Sequence, residues 1–373
     1  MAIKENTVLV VGTGTIGEPL TGLLADKDVA KQSGIDELIF YKHTPRVTDR
    51  PMMKGLLSRG AHMCVRHDRV NDFRDLGVEP TYSFQDALAR AKVVVDCTTE
   101  GIGVQNRFMH YENGNNVRAF LAQGSEHGFG LPYGVGINDE VLSRKNSKFI
   151  QVVSCNTHAA ARILKDLAFE DNGEKNGRSI LGEARFVFMR RASDVSQNGS
   201  FIAAPSVGPH KDPTFGTHHA KDVYRLYSTL GYHLNVFSSA IRLNTQYMHT
   251  AAFHIVLEKD KPCTLEEVKE HFINDPYVAV THKTDANVIF SFGREYGHYG
   301  RILNQAVIVL PSLIVRKSRL FTDSVEIIGY SFTPQDGNSL LSSTSAVAYF
   351  LNPEEVVLGE PLPSLKPFMF TEV

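Results

Sequence analysis

The sequence predicts an α/β protein in two parts. A first half winds strands and helices around a parallel sheet, and an α+β second half is built on a mostly antiparallel sheet. Three observations carry this. A chain of 373 residues is too long for one ordinary core. Short apolar runs alternate with helix-forming segments over the first 150 or so residues, about one α/β unit after another. From about residue 178 the rhythm changes to alternating strand patterns separated by long connections.

In order, 7–11 is a continuous apolar strand, and GTGTIG at 12–17 follows in the spacing G-x-G-x-x-G. Gly12, Gly14 and Gly17 permit a tight turn, close approach of backbone to a pyrophosphate, and tight packing of the helix expected over 18–31. That order marks a Rossmann-type dinucleotide-binding domain. The second strand, 37–41, ends in KHTPR rather than in an acidic residue, placing Lys42 and Thr44 where a 2′-phosphate would lie. NADP is therefore expected over NAD, with NAD use possible. A capped helix starts at Ser83, buried strands are read at 92–98 and 117–121, and the loops beyond them, with Thr98, Gln123 and Gly124, are expected to line the cofactor crevice.

The run FIQVV at 149–153 reads as another buried strand, SCNTH at 154–158 follows, and a helix is expected over 159–167. Cys155 stands between strand end and helix start, where unpaired N–H groups and the helix dipole favour a thiolate and so a lowered thiol pKa and a nucleophilic role; a buried structural cysteine is the alternative on local sequence alone. In the second half, strands are read at 181–190, 232–243, 247–257, 304–315 and 324–330, with a capping box placing Glu267 in a helix from Thr264. Residues 192–222 have no clear period, and His210, Lys211, His218, His219 and Lys221 there form a candidate anion pocket. A helix over 342–350 is expected to return to the first domain. The expected division is 1–154 for the dinucleotide-binding domain, 155–335 for the catalytic and substrate domain, and 336–373 for the returning segment.

A formal net charge of −2 supplies no basic field for nucleic acid or membrane. There is no transmembrane-length apolar run and no leader-like stretch before the first strand, and the four scattered cysteines read as the reduced thiols of a cytoplasmic protein, which is the location expected. The four cysteines have neither CxxC pairing nor metal-ligand spacing, so no metal is expected.

Over roughly residues 5–330 the order of motifs resembles the archaeal-type (type II) glyceraldehyde-3-phosphate dehydrogenases: GxGTIG, KHTPR, DCTTEGIG, AQGSEHG, VVSCNT, RRASD, a THH loop and a late Met-His before a strand. The resemblance implies Cys155 as nucleophile and His249 as catalytic base. It implies Arg190 and Arg191 as contacts of a phosphate or other anion, and His218 and His219 as a pair near the active site. Thr15, Ile16, Lys42, Thr44, Gln123 and Asn138 fall in cofactor-facing motifs. It further implies a phosphorylating aldehyde dehydrogenase that forms a thiohemiacetal and then a thioester, with a small phosphorylated aldehyde and inorganic phosphate as substrates, and a homotetramer. Asn156 and backbone N–H groups after Cys155 are expected to stabilise the oxyanion, with Ser154, Thr157 and His158 on the substrate side.

The chain departs from the family where His158 replaces a hydroxyl residue, beyond Ile328, and at insertions near 171–178 and 195–216. A different aldehyde from glyceraldehyde 3-phosphate is one consequence. A related acyl-phosphate reductase or semialdehyde dehydrogenase and a non-catalytic NAD(P)-binding sensor are the alternative readings.

Overall fold

A computed structural model describes residues 4–373 except 113, 115, 144, 146, 171–176, 195–198, 200, 259–262, 319–322 and 335. The chain divides into two units. The first holds Met1–Val135, Asp139–Val152 and Ser339–Leu365; the second holds Gly136–Asn138, Val153–Asn338 and Lys366–Val373.

The first unit is built on strands β1 (Thr7–Val11), β2 (Glu37–Tyr41), β3 (His62–Val65), β4 (Tyr82–Ser83), β5 (Val93–Asp96), β6 (Ala119–Gln123), β7 (Leu131–Tyr133) and β8 (Phe149–Val152). They form one sheet in the order β4-β3-β2-β1-β5-β6-β8-β7, and every pairing is parallel. β1, β2, β5 and β6 are almost wholly buried, as expected when helices cover both faces. Helices α1 (Gly17–Leu24), α2 (Lys27–Ser33), α3 (Arg50–Ser58), α4 (Val70–Asp75), α5 (Phe84–Arg90) and α6 (Ile102–Asn106) connect the strands. The strand order reverses at β1, which pairs with β2 on one side and β5 on the other, so the ligand crevice of such a sheet opens beyond Val11 and Asp96.

The single helix expected over 18–31 is two. Asp26 accepts the N–H groups of Asp28 and Val29 and starts α2 afresh, a cap that outcompetes continuation of α1. Ser83 caps α5 as expected, accepting from Asp86 N at 3.1 Å.

The second unit begins with α7 (Cys155–Leu167) and a small pair, β9 (Phe169–Glu170) with β10 (Arg178–Ser179). Its main sheet comprises β11 (Leu181–Arg190), β12 (Ser206–Val207), β13 (Val236–Arg242), β14 (His249–Glu258), β15 (Val278–Thr281), β16 (Ala306–Val309), β17 (Ile314–Lys317) and β18 (Ser324–Thr333). β11–β13 and β15–β16 are parallel and the other pairings antiparallel, which is the mixed, mostly antiparallel sheet expected. Its inner face carries Ala184, Phe186, Phe188, Ala251, Phe253, Ile255 and Ile327 against the apolar stripe of α7, Ala160, Ile163, Leu164 and Leu167. The strand expected over 304–315 is broken by a 3-10 turn at Leu310–Ser312, because Pro311 has no N–H for a ladder.

Helices α8 (His218–Ser228), α9 (Leu265–Asn274) and α10 (Ala286–Tyr296) complete this unit. α9 carries the capping box between Thr264 and Glu267. Neither α8 nor α10 is expected from sequence, since both open beside stretches without clear period. The insertions inferred near 171–178 and 195–216 fall partly outside the described residues.

The last helix, α11 (Gly337–Leu351), replaces the shorter one expected over 342–350. From Ser339 onward it belongs to the first unit, where Ser343 Oγ meets Gln123 Nε2 at 2.9 Å and Ser342 Oγ accepts from Val135 N at 3.1 Å. Residues 366–373 differ from the expected return, joining the second unit: Thr281 Oγ1 donates to the Val373 carbonyl and Val280 N to that of Thr371.

His158 is completely buried in α7, and its Nδ1 donates to the Ser154 carbonyl at 3.1 Å. Burial pushes its pKa down to about 4. The unfolded chain therefore takes up this proton first as pH falls, so the stability it contributes is complete above about pH 6.5 and is lost between there and pH 4, by about 3 kcal/mol. We expect the urea midpoint to fall between about pH 7.5 and about pH 5 in the natural chain, and His158→Leu to fall visibly less. Equal falls in the two proteins contradict this assignment.

Candidate functional site

The first unit presents a nucleotide cradle. Gly12 has a φ of +98°, and a Cβ on Gly17 would stand 2.0 Å from the Gly12 carbonyl oxygen, so turn and helix start close as tightly as glycine allows. A Cβ on Gly14 meets nothing within 4 Å, leaving open space beside the loop. Ile16, the N-cap of α1, gives no side-chain cap, in contrast to Asp26 and Ser83. A glycine loop opening onto a helix N-terminus without a side-chain cap fits a dinucleotide pyrophosphate.

Thr15 and Ile16 are half-buried in this turn, and Thr44 is exposed beyond β2. Lys42 follows β2 directly, but its Nζ pairs with Asp49 Oδ2 at 2.6 Å. Thr98 donates both its N–H and its hydroxyl to Asp96 Oδ1. Asp96 also accepts from Asn106 Nδ2 at 2.8 Å and from Tyr111 OH at 2.6 Å, a buried network that holds the end of β5. Gln123 is tied to Ser343, while Gly124 adopts a φ of +73° just beyond β6. Asn138 belongs to the second unit and donates from Nδ2 to Thr229 Oγ1 at 2.9 Å.

In the second unit, Cys155 is the first residue of α7, with Ser154 as N-cap. Ser154 Oγ and Thr157 Oγ1 bond each other at 2.9 Å rather than capping the helix. Asn338 Nδ2 holds the Cys155 carbonyl at 3.0 Å, and Asn156 Oδ1 accepts from Thr333 Oγ1 at 3.2 Å. Thr333 on β18 lies opposite His249 on β14, so the start of α7 is anchored on the strand pair that carries His249. The side-chain oxygen of Asn156 is thus engaged within the fold; the donor that could meet an oxyanion, as expected of this side chain, is its Nδ2.

Arg190 ends β11 and Arg191 follows it. Arg191 is buried; its N–H donates to His249 Nδ1 at 3.0 Å and its Nη2 pairs with Asp194 at 2.8 Å. Its Nε and Nη1 are buried without a hydrogen-bond partner among the described residues. A buried guanidinium with two unmet donors is a place for an anion.

His218 and His219 open α8, with ring centroids 3.9 Å apart. His219 is buried edge-on to Phe188, and both its ring nitrogens lack hydrogen-bond partners among the described residues. Burial and the neighbouring His218, Arg190 and His249 push its pKa well down. The wider basic pocket expected in this segment is not gathered: His210 Nε2 bonds Ser239 Oγ, and Lys221 pairs with Asp212.

The electrostatics correct two expectations. The Cys155 thiol pKa is raised rather than lowered: burial outweighs the opposing pull of Arg191 and Arg190, and Asp194 and Asp336 add to the rise. His249 is pushed down to about 3 by burial and then by Arg191 and Arg190, so it is neutral at physiological pH. With Nδ1 accepting the Arg191 N–H, the neutral ring carries its proton on Nε2. That nitrogen offers a hydrogen-bond donor, where a base was expected. Asp336 and Asn338, beyond the quoted motifs, carry no local sequence signal; Asp336 is fixed by Arg301 at 2.8 Å.

Among the described residues no group of His, Cys, Asp and Glu is placed to hold a metal ion, and no helix is long and apolar enough to cross a membrane.

Fold and site together define an α/β chain with a dinucleotide cradle in one unit and a thiol–imidazole–guanidinium cluster in the other. No family model matches the chain. It is 28% identical over 297 residues to a glyceraldehyde-3-phosphate dehydrogenase of Methanothermus fervidus, covering 78% of this chain and 79% of that protein. It is 24% identical over 322 residues to the protein of that name from Pyrobaculum islandicum, covering 84% of each. The protein of that name from Methanococcoides burtonii is 28% identical over 267 residues, 70% of each. The chain is a distant relative of proteins so named.

Because Arg191 pulls the Cys155 thiol down against burial, Arg191→Ala should raise its pKa further. Iodoacetamide labelling of Cys155, followed by peptide mass spectrometry across pH, should then require a higher pH in the variant than in the natural chain. A profile shifted to lower pH contradicts the charge assignment.

Proposed function

We propose that this protein is an NAD(P)-dependent phosphorylating aldehyde dehydrogenase, a divergent archaeal-type glyceraldehyde-3-phosphate dehydrogenase acting on a small phosphorylated aldehyde. The observation that carries the reading is the cluster of Cys155, His249 and Arg191, tied together by the Arg191 N–H to His249 bond and by the guanidinium field on the thiol.

In this reading Cys155, once it loses its proton to solvent, attacks the aldehyde carbon as thiolate. A C–S bond forms and the carbonyl oxygen becomes an alkoxide. His249 donates its Nε2 proton as a hydrogen bond to that oxygen, and the backbone N–H groups at the start of α7 add to the stabilisation. Collapse of the alkoxide to a carbonyl expels hydride and leaves a thioester on Cys155. When bound, the nicotinamide cofactor accepts that hydride. Inorganic phosphate then adds to the thioester carbon, and the C–S bond breaks to return the Cys155 thiolate and an acyl phosphate. Arg191, with two donors unmet, and Arg190 bind the phosphate groups. A hydrogen-bond donor suffices for His249 because the attacking group is already a thiolate.

The reading extends to an assembly of copies, a homotetramer. Val187, Ala252 and Tyr330 are cross-strand neighbours on the outward face of the second unit's sheet, and Val187, Tyr330 and Ile314 are exposed there, which supports association through that face. A cytoplasmic location goes with this proposal.

The test is reduced-cofactor formation with glyceraldehyde 3-phosphate and with aspartate semialdehyde, each with and without inorganic phosphate. We expect phosphate-dependent turnover with a phosphorylated aldehyde, and a loss of about a thousandfold or more in Cys155→Ala. Preference for aspartate semialdehyde moves the protein to the semialdehyde class. Cofactor binding without turnover of any aldehyde overturns the enzymatic reading.

A further inference from the structure

β2 ends without an acidic residue in sequence, yet the chain brings a carboxylate back to that end. Lys42 is fixed there by its N–H to the Cys64 carbonyl at 3.1 Å. Seven residues on, the 3-10 turn Val47–Asp49 directs Asp49 onto it, with Oδ2 2.6 Å from Lys42 Nζ and Oδ1 accepting from Thr48 Oγ1 at 3.3 Å. The two side chains are only 13% and 25% exposed, so water screens this pair weakly.

We propose that Asp49 determines which dinucleotide the first unit takes, favouring a ribose 2′-hydroxyl over a 2′-phosphate. The inference rests on reading the glycine cradle as a nucleotide site. Its chemistry is that of a carboxylate at the end of the second strand, where an acidic side chain accepts the ribose 2′-OH. A 2′-phosphate brought to Lys42 finds the ammonium already neutralised and a carboxylate beside it, and like charges at contact distance oppose each other. The basic segment Lys42–Arg46 therefore does not by itself select NADP. Lys42 and Asp49 act as one unit, open to NAD and closed by one charge to NADP. This revises the cofactor preference read from sequence.

The test is equilibrium titration of the full chain with NADPH and with NADH, followed by nicotinamide fluorescence. Asp49→Asn keeps the shape of the side chain and removes its charge. Its NADPH dissociation constant should fall about tenfold, equivalent to about 1.4 kcal/mol, while that for NADH stays the same or rises. Asp49→Glu should keep the natural preference. Adding Lys42→Ala to Asp49→Asn should abolish the gain for NADPH. Thermal unfolding of each variant establishes that it is folded. Equal changes for the two cofactors, or no change for either, overturn the role of Asp49 and leave the nucleotide site standing. Failure of the natural chain to bind either cofactor overturns the nucleotide reading and this proposal with it.

Discussion

Arg191 does more than any other residue to hold the candidate site together, through a hydrogen bond that is not made by its charge. Its backbone N–H reaches His249 Nδ1 and thereby fixes which ring nitrogen holds the proton. Its guanidinium pairs with Asp194 on one side and keeps two donors in reserve on the other. The same positive charge pulls the Cys155 thiol down and discourages protonation of His249. A buried guanidinium with one carboxylate partner and two donors unmet is costly to hold, and an anion at those donors completes the site.

Desolvation sets the resting state of the second unit. Burial raises Cys155 and lowers His158, His219 and His249, so all four stand uncharged at rest, and Arg190 bears on Cys155, His219 and His249. A neutral Cys155 thiol adds no negative charge to oppose an incoming phosphate, which meets the donors that Arg191 does not spend on Asp194. At the helix start of Cys155 the dipole favours a thiolate, but burial, which depends on residues distant in the chain and so is not legible locally, opposes it and prevails.

What was legible in the sequence was local. The parallel sheet follows from apolar runs such as Thr7–Val11, the cradle from three glycines in fixed spacing, and the capping box of α9 from Thr264 and Glu267. Cys155, Arg191 and His249 could be named through their motifs, and they come together in one unit. Their protonation could not be read, because it arises from a backbone contact between residues 58 positions apart. Asp49 was missed for a similar reason: a short turn brings it to Lys42, and its distance along the chain hides it from the second-strand rule. His158 looked like a substrate residue from its place beside Cys155, yet it is buried and bonded to the helix backbone. The break of 304–315 was visible in Pro311 but was outweighed by the apolar run around it.

The central claim is that Cys155 carries the acyl group, with His249 as donor and Arg191 beside it. Mixing the protein with the reactive aldehyde and oxidised cofactor in the absence of phosphate, then quenching in acid, tests it most directly by peptide mass spectrometry. The account predicts an acyl group on the peptide containing Cys155, formed together with reduced cofactor and removed when phosphate is added before the quench. Reduced cofactor without any adduct, or an adduct on Cys64, Cys97 or Cys263 instead, would contradict it.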